Sequence, residues 1–180
     1  MNRLLPNPRG VLAPLVLLLL AACAAPPPAA WRAAGDPERA AVLAVLERSF
    51  EAIAAKGDQA TALWREVLLE AGAMSSVRPV EGRPVVHIQS YAEHFQDLAG
   101  REDPRAFLER FWDPIVLVDG DIATVWTRYD FWLDGSFSHG GTDVVVLLRT
   151  EAGWKIASFA WSVERDPPPG PLPPPEGAAG

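Results

Sequence analysis

The sequence is short of the residues from which catalytic and metal sites are usually built. Its 180 positions hold one cysteine, three histidines and two tyrosines. A lone cysteine excludes an internal disulfide framework and a cysteine-rich zinc site. The histidines, His87, His94 and His139, share no ligand spacing such as His-x-x-x-His, so neither a metal nor any other cofactor is expected. A glycine-rich phosphate loop is missing too. Gly140-Gly141 falls inside a strand pattern, where it reads as a bulge or tight bend. Basic residues are scarce: 16 Lys and Arg stand against 23 Asp and Glu, a net charge of −7. That balance argues against a nucleic-acid partner, which calls for a basic face. Proline, by contrast, is plentiful but uneven: of 18, six lie in residues 1–30 and seven in 166–180. The middle is an ordinary globular composition, long enough for one domain.

The N-terminal end reads as an address. Arg3 and Arg9 precede the apolar run Val11 to Ala22, which is shorter than the roughly 20 residues of a bilayer span. A positive flank, a short apolar core and small residues at the exit describe a secretory signal. The run closes on Leu20-Ala21-Ala22-Cys23, which resembles the lipobox of bacterial lipoproteins. The resemblance implies that residues 1–22 are removed and that Cys23 takes acyl chains of the palmitate kind, holding the protein to the membrane. Several chains anchor stably where one does not. The competing reading is an ordinary signal peptide with an incidental cysteine. Ala24 after the cysteine, by resemblance to enterobacterial sorting, implies the periplasmic side of the outer membrane in the cell envelope. Loss of Arg3 and Arg9 leaves 14 basic residues against 23 acidic ones, a net of −9. Charge would then oppose an anionic surface, so the lipid is the attachment. Residues 23–35 read as a tether, 36–165 as the folded domain and 166–180 as an extended proline-rich tail.

Within 36–165 helices come first and strands last, an α+β layout. Asp36-Pro37-Glu38 is a helix start, with a capping side chain, proline at the first turn and an acid behind it. Val42, Val45, Leu46, Phe50 and Ile53 follow at helical spacing, and Gly57 ends the run. Asp58 is expected to cap a short second helix. Val67 to Val77 reads as a strand, Pro79 to Pro84 as a turn, and Val85 to Ile88 as a further apolar run. Ser90-Tyr91-Ala92-Glu93 is a capping box opening a third helix that Gly100 ends. Four strand patterns then follow, 107–118, 121–133, 136–150 and 154–164, joined at Asp119-Gly120, Asp134-Gly135 and Glu151-Ala152-Gly153. Asp-Gly is a preferred two-residue hairpin turn, so an antiparallel four-stranded meander is predicted.

Two-residue turns set register, so cross-strand partners can be counted. With Leu133 facing Ser136, Asp130 faces His139 and Trp126 faces Asp143. One face then carries Trp126, Arg128, Asp130, Trp132, His139, Asp143, Val145, Phe159 and Trp161. The other carries Ala123, Val125, Thr127, Tyr129, Phe131, Thr142, Trp154, Ile156, Ser158, Ala160 and Ser162, joined by Arg110, Trp112 and Pro114. Pro114 argues for a bulge or an edge, which weakens the last step of the count.

The opening Lys56-Gly57-Asp58, the strand start Val118-Asp119-Gly120-Asp121-Ile122-Ala123 and the ending Gly153-Trp154-Lys155-Ile156-Ala157-Ser158, in this order, resemble the nuclear transport factor 2-like superfamily. That superfamily includes the SnoaL-like polyketide cyclases and ketosteroid isomerase. The resemblance covers residues 38–165 and implies a cone: a curved sheet wrapped around helices, with an apolar pocket inside. It also implies that Trp154 and Ile156 point inward. Arg110, Trp112, Thr127, Tyr129, Thr142, Ser158 and Ser162 then become candidate pocket residues, unless they are satisfied core groups under a closed cone. The outer face often forms a homodimer in such proteins, and Trp126, Phe159 and Trp161 would suit that.

Three functions are weighed. The first is a lipid-anchored protein binding a small apolar or amphipathic ligand without catalysis. The second is an isomerase, cyclase or dehydratase. Its candidate catalytic pair is Asp130 with His139, a carboxylate that could orient an imidazole; a cross-strand pair that only stabilises the hairpin is the plainer reading. The counted register leaves the central interior without a carboxylate, against the enzyme, and a count wrong by one would change that. The third is an envelope interaction module using the outer face and the tail.

Overall fold

The structure is a computed structural model that describes residues 36–99 and 103–165. The signal segment, Cys23, the tether, Gly100 and the proline-rich tail lie outside the described residues. Helix α1 spans Pro37–Ala54, capped by the Asp36 side chain, which accepts from the Glu38 N–H at 2.8 Å. Its buried face carries Val42, Leu46, Ser49 and Phe50. Helix α2, Gly57–Val67, starts earlier than expected: Lys56 is the N-cap and makes no side-chain cap. Asp58 therefore sits inside the first turn, where its charge faces the helix dipole instead of capping an N–H.

Strands β1 (Leu68–Val80) and β2 (Arg83–Ser90) form a hairpin whose turn residues Glu81 and Gly82 both have positive φ. Helix α3, Tyr91–Ala99, opens on the capping box: Ser90 N–H donates to Glu93 at 2.8 Å, and Glu93 N–H to Ser90 Oγ at 3.2 Å. Strands β3 (Phe107–Asp119), β4 (Ile122–Leu133), β5 (Ser136–Thr150) and β6 (Gly153–Ser162) make the meander. The sheet has six strands, not four, in the order β2-β1-β6-β5-β4-β3. β1 runs parallel to β6, a pairing that needs a long connection and so leaves no short turn signal.

Within the meander, each of three bulges adds one residue to one strand and reverses which side chains face the helices. In β3 the pairing slips between Trp112 and Ile115, around Pro114 and Asp113, which has a φ of 52°. In β5 Ser138 is the extra residue: Trp132 pairs Phe137, but Phe131 pairs His139. In β6 it is Ala157, since Leu147 pairs Ile156 while Val146 pairs Ser158. Bulges also bend and twist the strands that carry them, which curves the sheet around the helices. Gly72 accommodates the last bulge, because a Cβ there would lie 2.4 Å from the Ala157 carbonyl oxygen and from the Tyr91 ring.

Two outcomes follow for the counted faces. Ala123, Val125, Thr127 and Tyr129 of β4, and Trp154 and Ile156 of β6, are buried as expected. Beyond the bulges the assignment inverts. Asp143, Val145, Phe159, Trp161 and His139 face inward with Glu109 and Phe111. Arg110, Trp112, Thr142, Ser158, Ala160 and Ser162 fall on the convex side. The core is closed by α1 and α2 over β3, β5 and β6, through Leu46, Phe50, Leu63, Trp64, Leu147 and Ile156.

Candidate functional site

The helices do not fill the concave face. A cavity of about 340 Å³ remains between the end of α1, the sides of α2 and α3, and the inner face of β3 to β6. Its walls are largely apolar: Ile53, Ala60 and Trp64 from the helices, Met74, Phe107, Phe131, Phe159 and Trp161 from the sheet. His139 stands among rings, with centroids 4.9 Å from Phe131 and 5.9 Å from Tyr129. Lys56 marks the rim, its Nζ donating to the Asp103 and Pro104 carbonyls at 3.1 and 2.7 Å.

The polar feature of this cavity is a pair of acids. Glu109 lines it, and Asp143 stands behind, completely buried. The two carboxyls are in hydrogen-bonding contact. Neither Asp143 oxygen meets an N–H or O–H donor. Two carboxylates can bond only by sharing a proton, so the pair is a proton-holding unit. Burial is the main cause that pushes both carboxyls well above the usual range. For Glu109 the nearby Asp143 and Asp130 charges add to it, whereas for Asp143 the bond from Glu109 opposes it. Part of the Glu109 side chain stays accessible because it faces the cavity.

The neighbouring groups are already committed. Tyr129 donates its hydroxyl to the Ser162 carbonyl oxygen at 2.8 Å. Burial, then the Glu109 and Asp143 charges, push its pKa well above the ordinary phenol value. His139 Nδ1 bonds with Ser138 Oγ at 3.1 Å. Burial and then Arg165 lower its pKa, keeping the imidazole neutral at pH 7.

Of the candidate pocket residues, the structure brings only Tyr129 to the cavity wall. Thr127 is a satisfied core group, donating to the Trp112 carbonyl at 2.7 Å. Arg110 is turned away by the β3 bulge and grips Asp130 with bonds of 2.9 and 2.5 Å, above the Trp132 ring. Trp112 pairs Arg128, and Ser158 pairs Val146, on that same convex side. Thr142 and Ser162 line a shallow groove there with Val77, Val86 and Val144. The Asp130–His139 pair does not form, since the β5 bulge sets Asp130 opposite Gly140 and sends His139 into the cavity. Phe159 and Trp161 leave the expected dimer face for the interior, leaving Trp126, 42% exposed, outside.

Glu109 and Asp143 were missed as site residues, although a signal existed. Glu109 sits midway in Phe107-Leu108-Glu109-Arg110-Phe111, an acid inside a period-two aromatic pattern that marks a buried face.

No family model and no curated protein matches the chain. Solved structures do. A nuclear transport factor 2-like superfamily protein from Salmonella enterica has 14% identity and a TM-score of 0.54, covering 78% of this chain and 100% of its own. A nuclear transport factor 2-like protein of unknown function from Shewanella baltica has 17% identity and a TM-score of 0.53, with coverage of 75% and 100%. The β subunit of a proposed aromatic-ring-hydroxylating dioxygenase from Novosphingobium aromaticivorans has 10% identity and a TM-score of 0.56, with coverage of 72% and 90%. At these identities the likeness is one of fold. The chain adopts the nuclear transport factor 2-like fold, an α+β cone with an open, curved sheet of six strands.

Proposed function

We propose that this protein binds a small, mostly apolar molecule inside the cone, with Glu109 as the polar anchor. One observation carries the reading: an apolar-walled cavity that ends on a carboxyl pair, Glu109 at its wall and Asp143 buried behind. Water would not repay the burial of two acids in an apolar wall, whereas a ligand that bonds them would. Native mass spectrometry of the purified chain tests it. A co-purifying small molecule is expected, and its occupancy falls on Met74→Trp, which fills the wall. A chain that is empty, and whose melting temperature no compound in a diverse panel moves, sinks the reading.

The location is part of the same proposal. Residues 1–22 act as a lipoprotein signal, and acyl chains on Cys23 hold the domain to the periplasmic side of the outer membrane. Cys23→Ala then abolishes lipid labelling and releases or traps the chain; unchanged labelling and membrane fractionation would refute the anchor. A homodimer through the convex face is proposed as well, now resting on Trp126 with Ile88 and Ile115, which are 42%, 70% and 55% exposed. Sedimentation of wild type against Trp126→Lys decides it: two monomers would count against the dimer.

A second reading, a proton-transfer enzyme of the isomerase, cyclase or dehydratase kind, is favoured by Glu109 itself. A cavity-lining carboxyl with a raised pKa suits general acid–base work near neutral pH. Incubating the co-purified ligand in D₂O separates the two. Carbon-bound exchange that requires Glu109 marks an enzyme, and an unchanged ligand mass marks a binder.

A further inference from the structure

We infer that the cone receives a protonated amine on an apolar body, held by Glu109 while Asp143 keeps the proton the two acids share. This rests on the proposal that the cone binds a small molecule, and it names the ligand's chemistry. The reason is a shortage of donors. Both Asp143 oxygens lack one, and the residue is completely buried. Several neighbouring polar groups are engaged elsewhere: the Tyr129 hydroxyl donates to Ser162, His139 Nδ1 and Ser138 Oγ bond each other, and Lys56 donates to two rim carbonyls. Arg110, next to Glu109 in sequence, is turned to the other face and clamps Asp130. A ketone, ether or carboxylate would bring more acceptors to acceptors. An ammonium group brings three donors, and its charge offsets the one that a half-protonated pair leaves in an apolar wall. Aromatic walls from Phe131, Phe159 and Trp161 suit a cation.

The proton bookkeeping closes without a co-reactant. As the amine docks, the shared proton settles on Asp143, whose O–H donates to Glu109. Glu109 is then a carboxylate accepting an N–H of the ammonium. When both acids carry protons, one must leave for solvent before the amine is held. Amine affinity therefore falls as pH falls. The other groups facing the pair are Tyr129 and His139 from the sheet, His94 from α3, and Lys56 and Asp103 at the rim, while Asp130 acts through the sheet from the convex face and Arg128 and Glu164 lie near Tyr129. Protonation of His139 would repel the amine too, so His139→Gln must keep the pH dependence if the acid pair is its source.

The test is calorimetric titration of the full chain with three probes sharing one body: phenylbutylamine, phenylbutanol and phenylbutyrate. The amine is expected to bind about tenfold tighter than the alcohol, and the butyrate more weakly than both. Glu109→Gln should bring the amine down to the alcohol's affinity and change the alcohol by less than about threefold. Should that variant not fold, titrations of wild type in buffers of different ionisation enthalpy serve instead: below neutrality the amine releases a proton and the alcohol none. An alcohol or butyrate that binds as well as the amine, or equal proton release for both, overturns the amine and leaves the ligand-binding cone standing. Binding by none of the three, with native mass spectrometry also empty, overturns the cone reading itself.

Discussion

Two acid clusters stand back to back on this sheet, and they are built differently. On the convex side Asp130 is held by Arg110 through a two-pronged ion pair, with side-chain exposures of 10% and 17%. On the concave side, one residue away along β3, Glu109 meets Asp143 with no cation and no donor. Asp130 and Asp143 are both removed from water, and Glu109 only in part. The first cluster is complete within the protein, which marks it as structure. The second is completed only by retaining a proton or by something from outside. Groups left in that condition at the end of an open cavity are where ligand chemistry is sought.

The largest way to break this contrast is to attack the geometry that separates the faces. A Cβ at Gly141 would lie 2.1 Å from the Ser162 carbonyl oxygen, the oxygen that also receives the Tyr129 hydroxyl. Gly141→Ala should cost about 3 kcal/mol or more, because backbone on both sides of the contact cannot yield cheaply. Chemical denaturation measures it, and a loss below about 1 kcal/mol would show that the strands adjust there.

Arg110→Ala comes next. It strands the Asp130 carboxylate, 7% exposed, and should destabilise by about 3 kcal/mol. A double-mutant cycle with Asp130→Asn checks that the loss belongs to the pair; additive losses would mean that it does not.

Asp143→Asn is expected to act in the opposite direction. Both interior acids have raised pKa values in the folded state, so folding holds protons that the unfolded chain gives up near its ordinary carboxyl values of about 4. The stability they contribute is complete below that range and is lost as pH rises toward their folded values. The amide cannot ionise, so Asp143→Asn should gain about 1 kcal/mol at a pH of about 8 and nothing at a pH of about 4. Thermal melts at both pH values measure it. A loss at high pH would mean that the ionised acid is stabilised by a donor after all. Glu109→Gln should show the same sign with a smaller gain, well under about 1 kcal/mol, since its cavity face can already meet water.

Much of this molecule could be read from its residues. Asp36, Ser90 and Glu93 mark helix starts because short polar side chains bond free N–H groups locally. Asp134-Gly135 marks a hairpin because both residues take positive φ there, at 49° and 76°. Alternation identifies Ala123, Val125, Thr127 and Tyr129 as one buried face until a bulge intervenes. The order of these local signals was enough for the α+β cone. The addition of β1 and β2 to the sheet was not legible, because a parallel neighbour leaves no turn between the paired strands.

The site itself was decided by tertiary structure. Parity along a strand is a local rule, yet one extra residue reverses it for everything beyond, and the energy of a bulge depends on neighbours far away in sequence. Ala157 can bulge because Gly72 leaves room for its carbonyl, 85 positions earlier. Ser138 sends His139 inward and with it Asp143, while the turn at Asp113 exchanges Arg110 for Glu109. By itself the sequence determined which segments of the described domain are helices and strands. Only the packed sheet decided that the acids without partners are the ones facing the cavity, because that depends on where three insertions find space.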